Sequence, residues 1–297
     1  MKKNKKMIIG FVLPCVLSLI IMYLYPAIRT FCMSFFKIGS ITSSVSEWSF
    51  NGFDNYIKIF KSPAYQAAMK NMIVIWIVGG LITLSISLLF AVILTSGIRF
   101  KKFFRAAIYL PNIISAVALA TMWIQYIYSQ EYGLLNNILR AIGLEGVKWL
   151  GTDTKFWAML VAFVFGAVGY YMLIYISGIE RIPTQLYEAA TIDGASRPQQ
   201  FRYITLPLLK NIIRTNLTFW SVGSITFFLW SKMFSPITSE ISTISPVVYL
   251  YDIAFGNKVA VERDAGAGAA VGVGLALFVA AVYLISNKVL KEDDLEF

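Results

Sequence analysis

Residues 187–195 read Tyr187-Glu188-Ala189-Ala190-Thr191-Ile192-Asp193-Gly194-Ala195, and the segment they open closes on Ile204-Thr205-Leu206-Pro207. It lies between two long apolar runs, residues 156–179 and 212–234. A polar, helix-forming segment in that position cannot work inside lipid, but it can offer a shaped surface to a partner in the water beside a membrane. Pro183 and Thr184 suit a helix start and Gly194 a left-handed stop. Ser196-Arg197-Pro198-Gln199 reads as a second helix start with Gln199 in the capping-box position, and Pro207 is expected to end that helix near the membrane. Two short helices around a glycine hinge follow. Leu186, Ala189, Ala190 and Asp193 share one face at i, i+3, i+4 and i+7. The small alanines allow close approach to another surface, and Glu188 points elsewhere, free to pair with a cation. An amphipathic helix resting on lipid headgroups would carry Lys or Arg on its polar face. This one carries Glu188 and Asp193.

Outward from that loop, the chain is membrane-like throughout. Of its 297 residues 58% are hydrophobic and 14% charged, with a mean hydropathy of +0.67, against about 45–50% and 25% for soluble domains. The absence of histidine removes imidazole acid–base catalysis and imidazole metal ligation. Cys15 and Cys32 are read as small apolar fillers. No phosphate-binding G-x-x-x-x-G-K-[ST] loop is present, so ATP hydrolysis by the chain itself is excluded, and neither a cofactor nor a metal is expected. The net charge of +10 is scattered over several loops without one dominant patch, which argues against a nucleic-acid partner.

A bilayer core needs about 20 apolar residues per helix. Six runs meet that length: 7–28, 72–95, 106–128, 156–179, 212–234 and 265–286. The third is interrupted by Pro111, Asn112 and Gln125. The first follows a lysine-rich start, yet it is too long for a signal peptide and lacks a small-x-small cleavage site, so an uncleaved anchor is expected. The fold class expected is all-α: a polytopic membrane protein of six transmembrane helices with a paired-helix loop between the fourth and fifth. Residues 1–66 form the anchor and first outer loop, 67–287 the core and 288–297 a tail. Six spans put both termini on one side. With the termini inside, the inner segments hold 15 basic and 7 acidic residues and the outer segments 11 and 9, and the positive charge is densest at Arg99–Arg105. The positive-inside rule then places both termini in the cytoplasm.

Within the other segments, Asn51-Gly52-Phe53-Asp54-Asn55-Tyr56 reads as a turn entering a short helix, and Gly268-x-x-x-Gly272 lets two helices approach closely. Asn216, Trp220 and Ser224 fall on one face of the fifth span; Tyr170, Tyr171 and Tyr175 lie in the fourth. Aromatic belts normally sit at membrane interfaces. Aromatics this deep fit a polar cavity for a sugar ring, with helix packing as the alternative.

Tyr187-Glu188-Ala189-Ala190-x-x-Asp193-Gly194-Ala195 resembles the loop by which permeases of binding-protein-dependent ABC importers dock on their ATPase. Nearly the whole chain is similar to the carbohydrate type, such as the maltose and glycerol-phosphate permeases. Gly52-x-Asp54-Asn55-Tyr56, Leu110-Pro111-Asn112, Trp123 and Gly133-Leu134-Leu135-Asn136-Asn137 carry the resemblance as well. It implies that Glu188, Ala189, Ala190, Asp193 and Gly194 belong to a coupling helix seated on the ATPase. It also implies an ABC ATPase dimer, a second homologous permease and an extracytoplasmic solute-binding protein as partners, beside membrane lipid. The setting implied is a bacterial cytoplasmic membrane and the mechanism alternating access, with no enzymatic chemistry in this chain. Phe234-Ser235-Pro236-Ile237-Thr238-Ser239-Glu240 lacks the Gly-Gly-Pro stretch common in the family's last outer loop, and the first outer loop lacks the inserted domain of some maltose-type subunits. A non-sugar solute is the nearest alternative. A secondary transporter would need carboxylates or histidines within the bilayer, and the interiors of the six runs hold none.

Overall fold

A computed structural model describes residues 5–256 and 263–289. Lys2, Lys3, Lys291, Glu292, Asp293, Asp294 and Glu296, which enter the charge count above, lie outside them, as does most of the tail 288–297. The described chain is mainly helical. In order it comprises α1 (Met7–Met33), β1 (Phe36–Lys37), β2 (Ser49–Phe50), α2 (Asp54–Lys61), α3 (Pro63–Thr95), α4 (Lys101–Ile113), α5 (Ala116–Ile127), α6 (Leu134–Ala141), α7 (Lys155–Ile179), α8 (Thr184–Ile192), a helical run α9 over 197–208, α10 (Lys210–Ile225), α11 (Phe228–Phe234), α12 (Pro246–Phe255) and α13 (Ala265–Val289). The two strands pair antiparallel, Phe36 opposite Phe50.

Four of these helices, α1, α3, α7 and α13, are long and apolar enough to cross a membrane, or five spans if α4 and α5 count as one bent span. The expected third span is not a single rod. Its two arms meet at 98°, and the break falls at Ile114-Ser115, not at Pro111, which lies inside α4. Ile114 is extended, and the Ser115 hydroxyl caps α5 by accepting from the Ala118 N–H. The expected fifth span is likewise divided. The Thr226 hydroxyl donates back to Val222 O at 3.0 Å, the helix ends, and Phe227 turns into the core with its ring 4.8 Å from that of Phe163. Neither piece alone has spanning length. Helix α12 lies outside the six apolar runs and begins at Pro246, a residue pre-set for the first helical turn.

Wide helical turns precede two of the prolines. Tyr25 N–H bonds to Ile20 O just before Pro26, and Leu206 N–H bonds to Phe201 O just before Pro207. An i→i+5 turn re-spaces the carbonyls where a proline has no N–H to offer. Pro207 thus lies in the last turn of its helix, one residue before the end. The path stays helical to Leu208 and breaks at Leu209.

The chain divides into two compact units. The first, 1–66 with 249–277, gathers Met33, Ile38, Ala265 and Ala269. Buried Asn55 donates to the carbonyls of Ser34 and Phe36, each at 2.9 Å, holding the hairpin to α2. Lys58 pairs with Asp264 at 2.5 Å. Gly268 lets α13 approach α12: a Cβ there would lie 2.9 Å from that of Ala254. The second unit, 67–248 with 278–297, is built around α7, the most buried of the long helices. α7 packs along α3 and α4, and at Gly169 the contact is so close that a Cβ would collide with the Ile108 carbonyl.

Candidate functional site

The polar segment after α7 forms two helices folded against each other. α8 starts at Thr184, with Pro183 in the capping position, and ends at Ile192. Gly194 has φ +81°. Its N–H bonds to Thr191 O at 3.1 Å, and Ala195 N–H bonds to Ala190 O at 2.8 Å. That pair of bonds is a Schellman ending, which a residue with a Cβ adopts only at a cost. α9 opens on Ser196, whose backbone N–H donates to Gln199 Oε1 at 2.7 Å.

Side chains lock the inner faces together. Tyr187 and Thr205 share a hydroxyl–hydroxyl bond of 2.9 Å, and Gln200 Nε2 donates to Thr191 Oγ1 at 2.9 Å and to Ala195 O at 3.3 Å. Leu186, Tyr187 and Ala190 are half-buried on this side. Glu188, Ala189, Ile192, Asp193 and Gly194 are exposed on the other. The face drawn from the i, i+3, i+4, i+7 spacing is thus split: Leu186 and Ala190 turn inward, and Glu188 joins Ala189 and Asp193 outside. Ile192, which sequence reasoning passed over, is 86% exposed. Its outward position follows from i+4 after Glu188 once the inner face is known. An apolar tip flanked by two carboxylates with no ion pair among the described residues is a surface suited to a partner.

Between this hairpin and the end of α3 lies a cavity of about 280 Å³, lined by Val92, Thr95, Ser96, Ile179, Tyr187, Arg197, Gln200, Phe201 and Thr205. Nearby, Arg105 and Glu180 approach to 3.7 Å, both well exposed; such a pair contributes little.

The residues anticipated for solute contact meet in part. Trp220 is 0% exposed. Its Nε1 donates to Trp76 O at 2.8 Å, and its ring lies 5.4 Å from Phe163 and 5.8 Å from Tyr171. Gly79 and Gly80 make the room; a Cβ on Gly80 would stand 2.5 Å from the indole nitrogen. Asn216 Nδ2 reaches Tyr171 O at 3.4 Å, and the Ser224 hydroxyl bonds within its own helix to Ser221 O. Tyr175 belongs to a neighbouring buried group with Met172, Ile176 and Leu209. A second cavity, of about 250 Å³, is lined by Tyr170 and Tyr171, but by none of Tyr175, Asn216, Trp220 and Ser224. Asn112, Phe163 and Trp230 complete its polar and aromatic wall. Of the six, only Tyr170, at 37%, is exposed.

Residues 83–291 match the family described as "Binding-protein-dependent transport system inner membrane component". The arabinooligosaccharides transport system permease protein AraP of Halalkalibacterium halodurans is 32% identical over 93% of this chain and 85% of its own. The diacetylchitobiose uptake system permease protein NgcF of Streptomyces coelicolor is 30% identical, covering 81% of this chain and 72% of its own. A bacterial ABC transporter chain involved in the import of the acidic polysaccharide alginate has the same fold, with a TM-score of 0.81 at 24% identity over 98% of this chain and 97% of that one. A core of long apolar helices, the family match over residues 83–291 and a 32% identical permease aligned over 93% of the chain lead to one assignment: the protein belongs to the family of binding-protein-dependent transport system inner membrane components.

Proposed function

We propose that this permease carries a sugar or oligosaccharide into the cell as one half of the membrane channel of an ATP-driven importer. The observation that carries the reading is the similarity, over nearly the full chain, to a permease named for arabino-oligosaccharides, with further relatives named for diacetylchitobiose and for lactose. In this reading the bent pair α4–α5 and the divided pair α10–α11 each complete a span, giving six, with both termini and residues 180–210 in the cytoplasm. Residues 67–287 form the transport core, 1–66 the anchor and first outer loop, and 288–297 the tail. Helix α8 is the coupling helix: Glu188, Ala189, Asp193 and Gly194, with Ile192, meet a groove of the ATPase, while Ala190, half-buried, sits on the inner side of the helix and supports that face. An ATPase dimer closing on ATP moves this hairpin and its counterpart on a second, homologous permease. The cavity then alternates between the two sides, and a loaded solute-binding protein delivers to the outer one. ATP hydrolysis belongs to the ATPase subunits.

The cavity wall of Tyr170, Tyr171, Phe163, Trp230 and Asn112 supports a sugar solute, since aromatic faces match the apolar faces of a sugar ring and an amide matches its hydroxyls. Trp220, Asn216, Ser224 and Tyr175, packed in this conformation, enter the pathway only if the helices rearrange. Uptake of labelled oligosaccharides by cells with and without the chain tests the solute class. Retained oligosaccharide uptake together with loss of a non-sugar solute would remove the carbohydrate reading. Co-purification from detergent tests the partners: an ATPase and a second permease are expected.

A further inference from the structure

The cavity beneath the paired helices has a chemistry that coupling does not use. Its nine lining residues carry one charged side chain, Arg197, and no carboxylate. The Arg197 guanidinium makes no hydrogen bond or ion pair among the described residues. Around it, the donors are already committed. Thr95 Oγ1 donates to Ala91 O at 2.9 Å and Ser96 Oγ to Ile93 O at 2.8 Å. The Gln200 amide hydrogens go to Thr191 Oγ1 and Ala195 O. One hydrogen of the Tyr187–Thr205 pair is consumed between them. What remains uncommitted among the lining residues is a cationic fork, one hydroxyl donor, and acceptor lone pairs on Thr95, Ser96 and Gln200 Oε1.

A planar guanidinium matches a phosphate group, and acceptors with their own hydrogens spent match the hydroxyls of a polyol. We infer that this cavity binds a phosphorylated polyol, with the phosphate on Arg197 and the hydroxyls on Thr95, Ser96 and Gln200. The volume of about 280 Å³ admits one small ligand. Two sources share that chemistry: a soluble sugar phosphate and the headgroup of a phosphoglycerol lipid. Thr95 and Ser96 lie at the end of α3, while Tyr187, Arg197, Gln200 and Thr205 belong to the hairpin. A ligand bridging them ties the hairpin to α3 and opposes its movement. This consequence rests on the cytoplasmic, coupling reading of the hairpin; the binding site itself does not.

Calorimetric titration of the purified full chain in detergent micelles tests the site, with glucose 6-phosphate, glucose and inorganic phosphate as soluble probes. Phosphatidylglycerol against phosphatidylcholine in mixed micelles forms the lipid arm. Glucose 6-phosphate is expected to bind, with Arg197→Gln weakening it at least tenfold. Ser96→Ala should weaken glucose 6-phosphate severalfold and leave inorganic phosphate unchanged. Arg197-dependent binding of phosphatidylglycerol in place of glucose 6-phosphate supports the site and identifies the headgroup as its occupant. The inference is overturned if no phosphate probe binds, or if Arg197→Gln, with unaltered elution and melting, binds as the parent does. Because binding in micelles is independent of orientation, that failure leaves the coupling reading standing. Conversely, labelling of residue 196 from outside the cell would remove the coupling reading and leave the site.

Discussion

The hairpin of α8 and α9 and the aromatic group around Trp220 lie in the same compact unit, yet they use their side chains in opposite ways. In the hairpin, local bonds satisfy the backbone: the Schellman ending at Gly194, the capping at Ser196 and the ties of Tyr187 and Gln200. Its outward groups, Glu188, Ile192 and Asp193, are left uncovered. Around Trp220 the two indole N–H groups donate across helices, Trp220 to Trp76 O and Trp76 to Ser221 Oγ, and the rings close on one another. The hairpin leaves an acidic and apolar surface open, while the buried aromatic group, with its N–H satisfied, packs helices together in this conformation. Deep aromatic residues alone do not separate a solute path from a core; exposure and hydrogen bonding do.

The sharpest way to break this comparison is to empty the buried side of it. Trp220→Ala removes a fully buried ring and a hydrogen bond, and a loss of about 3–5 kcal/mol is expected. It should appear as a lower melting temperature and reduced yield of detergent-extracted protein. A fully stable Trp220→Ala protein with altered solute preference would return this residue to the solute path. Gly169→Val should cost about 3 kcal/mol, because the new side chain meets the Ile108 carbonyl, a backbone atom that cannot swing away. The same thermal measurement reads it.

The hairpin should respond in the reverse sense. At Gly194 a Cβ has nothing within 4 Å, so the only obstacle is the backbone angle. Gly194→Val costs about 1–2 kcal/mol locally, leaves the protein inserted, and is expected to abolish solute uptake. Glu188→Lys should do likewise without any change in melting. Normal uptake by both variants would take the coupling role away from this loop. Tyr170→Ala, at an exposed position on the second cavity, should change solute preference while the melting temperature stays near that of the parent. Topology sharpens the comparison without any change in energy. In a chain lacking Cys15 and Cys32, Ser43→Cys should react with an impermeant reagent from outside, and Ser196→Cys only after the membrane is opened. The opposite pattern would invert the orientation.

Much of the hairpin was legible in sequence because its determinants are local. Proline, serine and glycine act on their own backbone and on neighbours within a turn, so Pro183, Gly194 and Ser196 mark its helix limits directly. The inner and outer faces of α8 were not legible, because they depend on Tyr187 finding Thr205, 18 residues away. The wide turn over Phe201 to Thr205, just before Pro207, was not legible either, since it leaves no compositional trace. Hydropathy found the apolar runs but could not see that 106–128 bends at Ser115 or that 212–234 breaks at Thr226. Hydropathy measures transfer into lipid, whereas a bend is set by capping and by what the turned side chain packs against.

By itself the amino-acid sequence determined that this is a membrane-spanning helical protein, that one polar loop carries a capped and hinged helix pair, and that imidazole and phosphate-loop chemistry are absent. These follow from composition and from interactions within a few residues. Only the tertiary structure decided which aromatic residues are packed and which line a cavity, which face of α8 stays open, and that Arg197 and the end of α3 enclose a common space. Those outcomes depend on residues brought together from distant parts of the chain, where burial and the pairing of polar atoms are properties of the assembled helices and of no single segment.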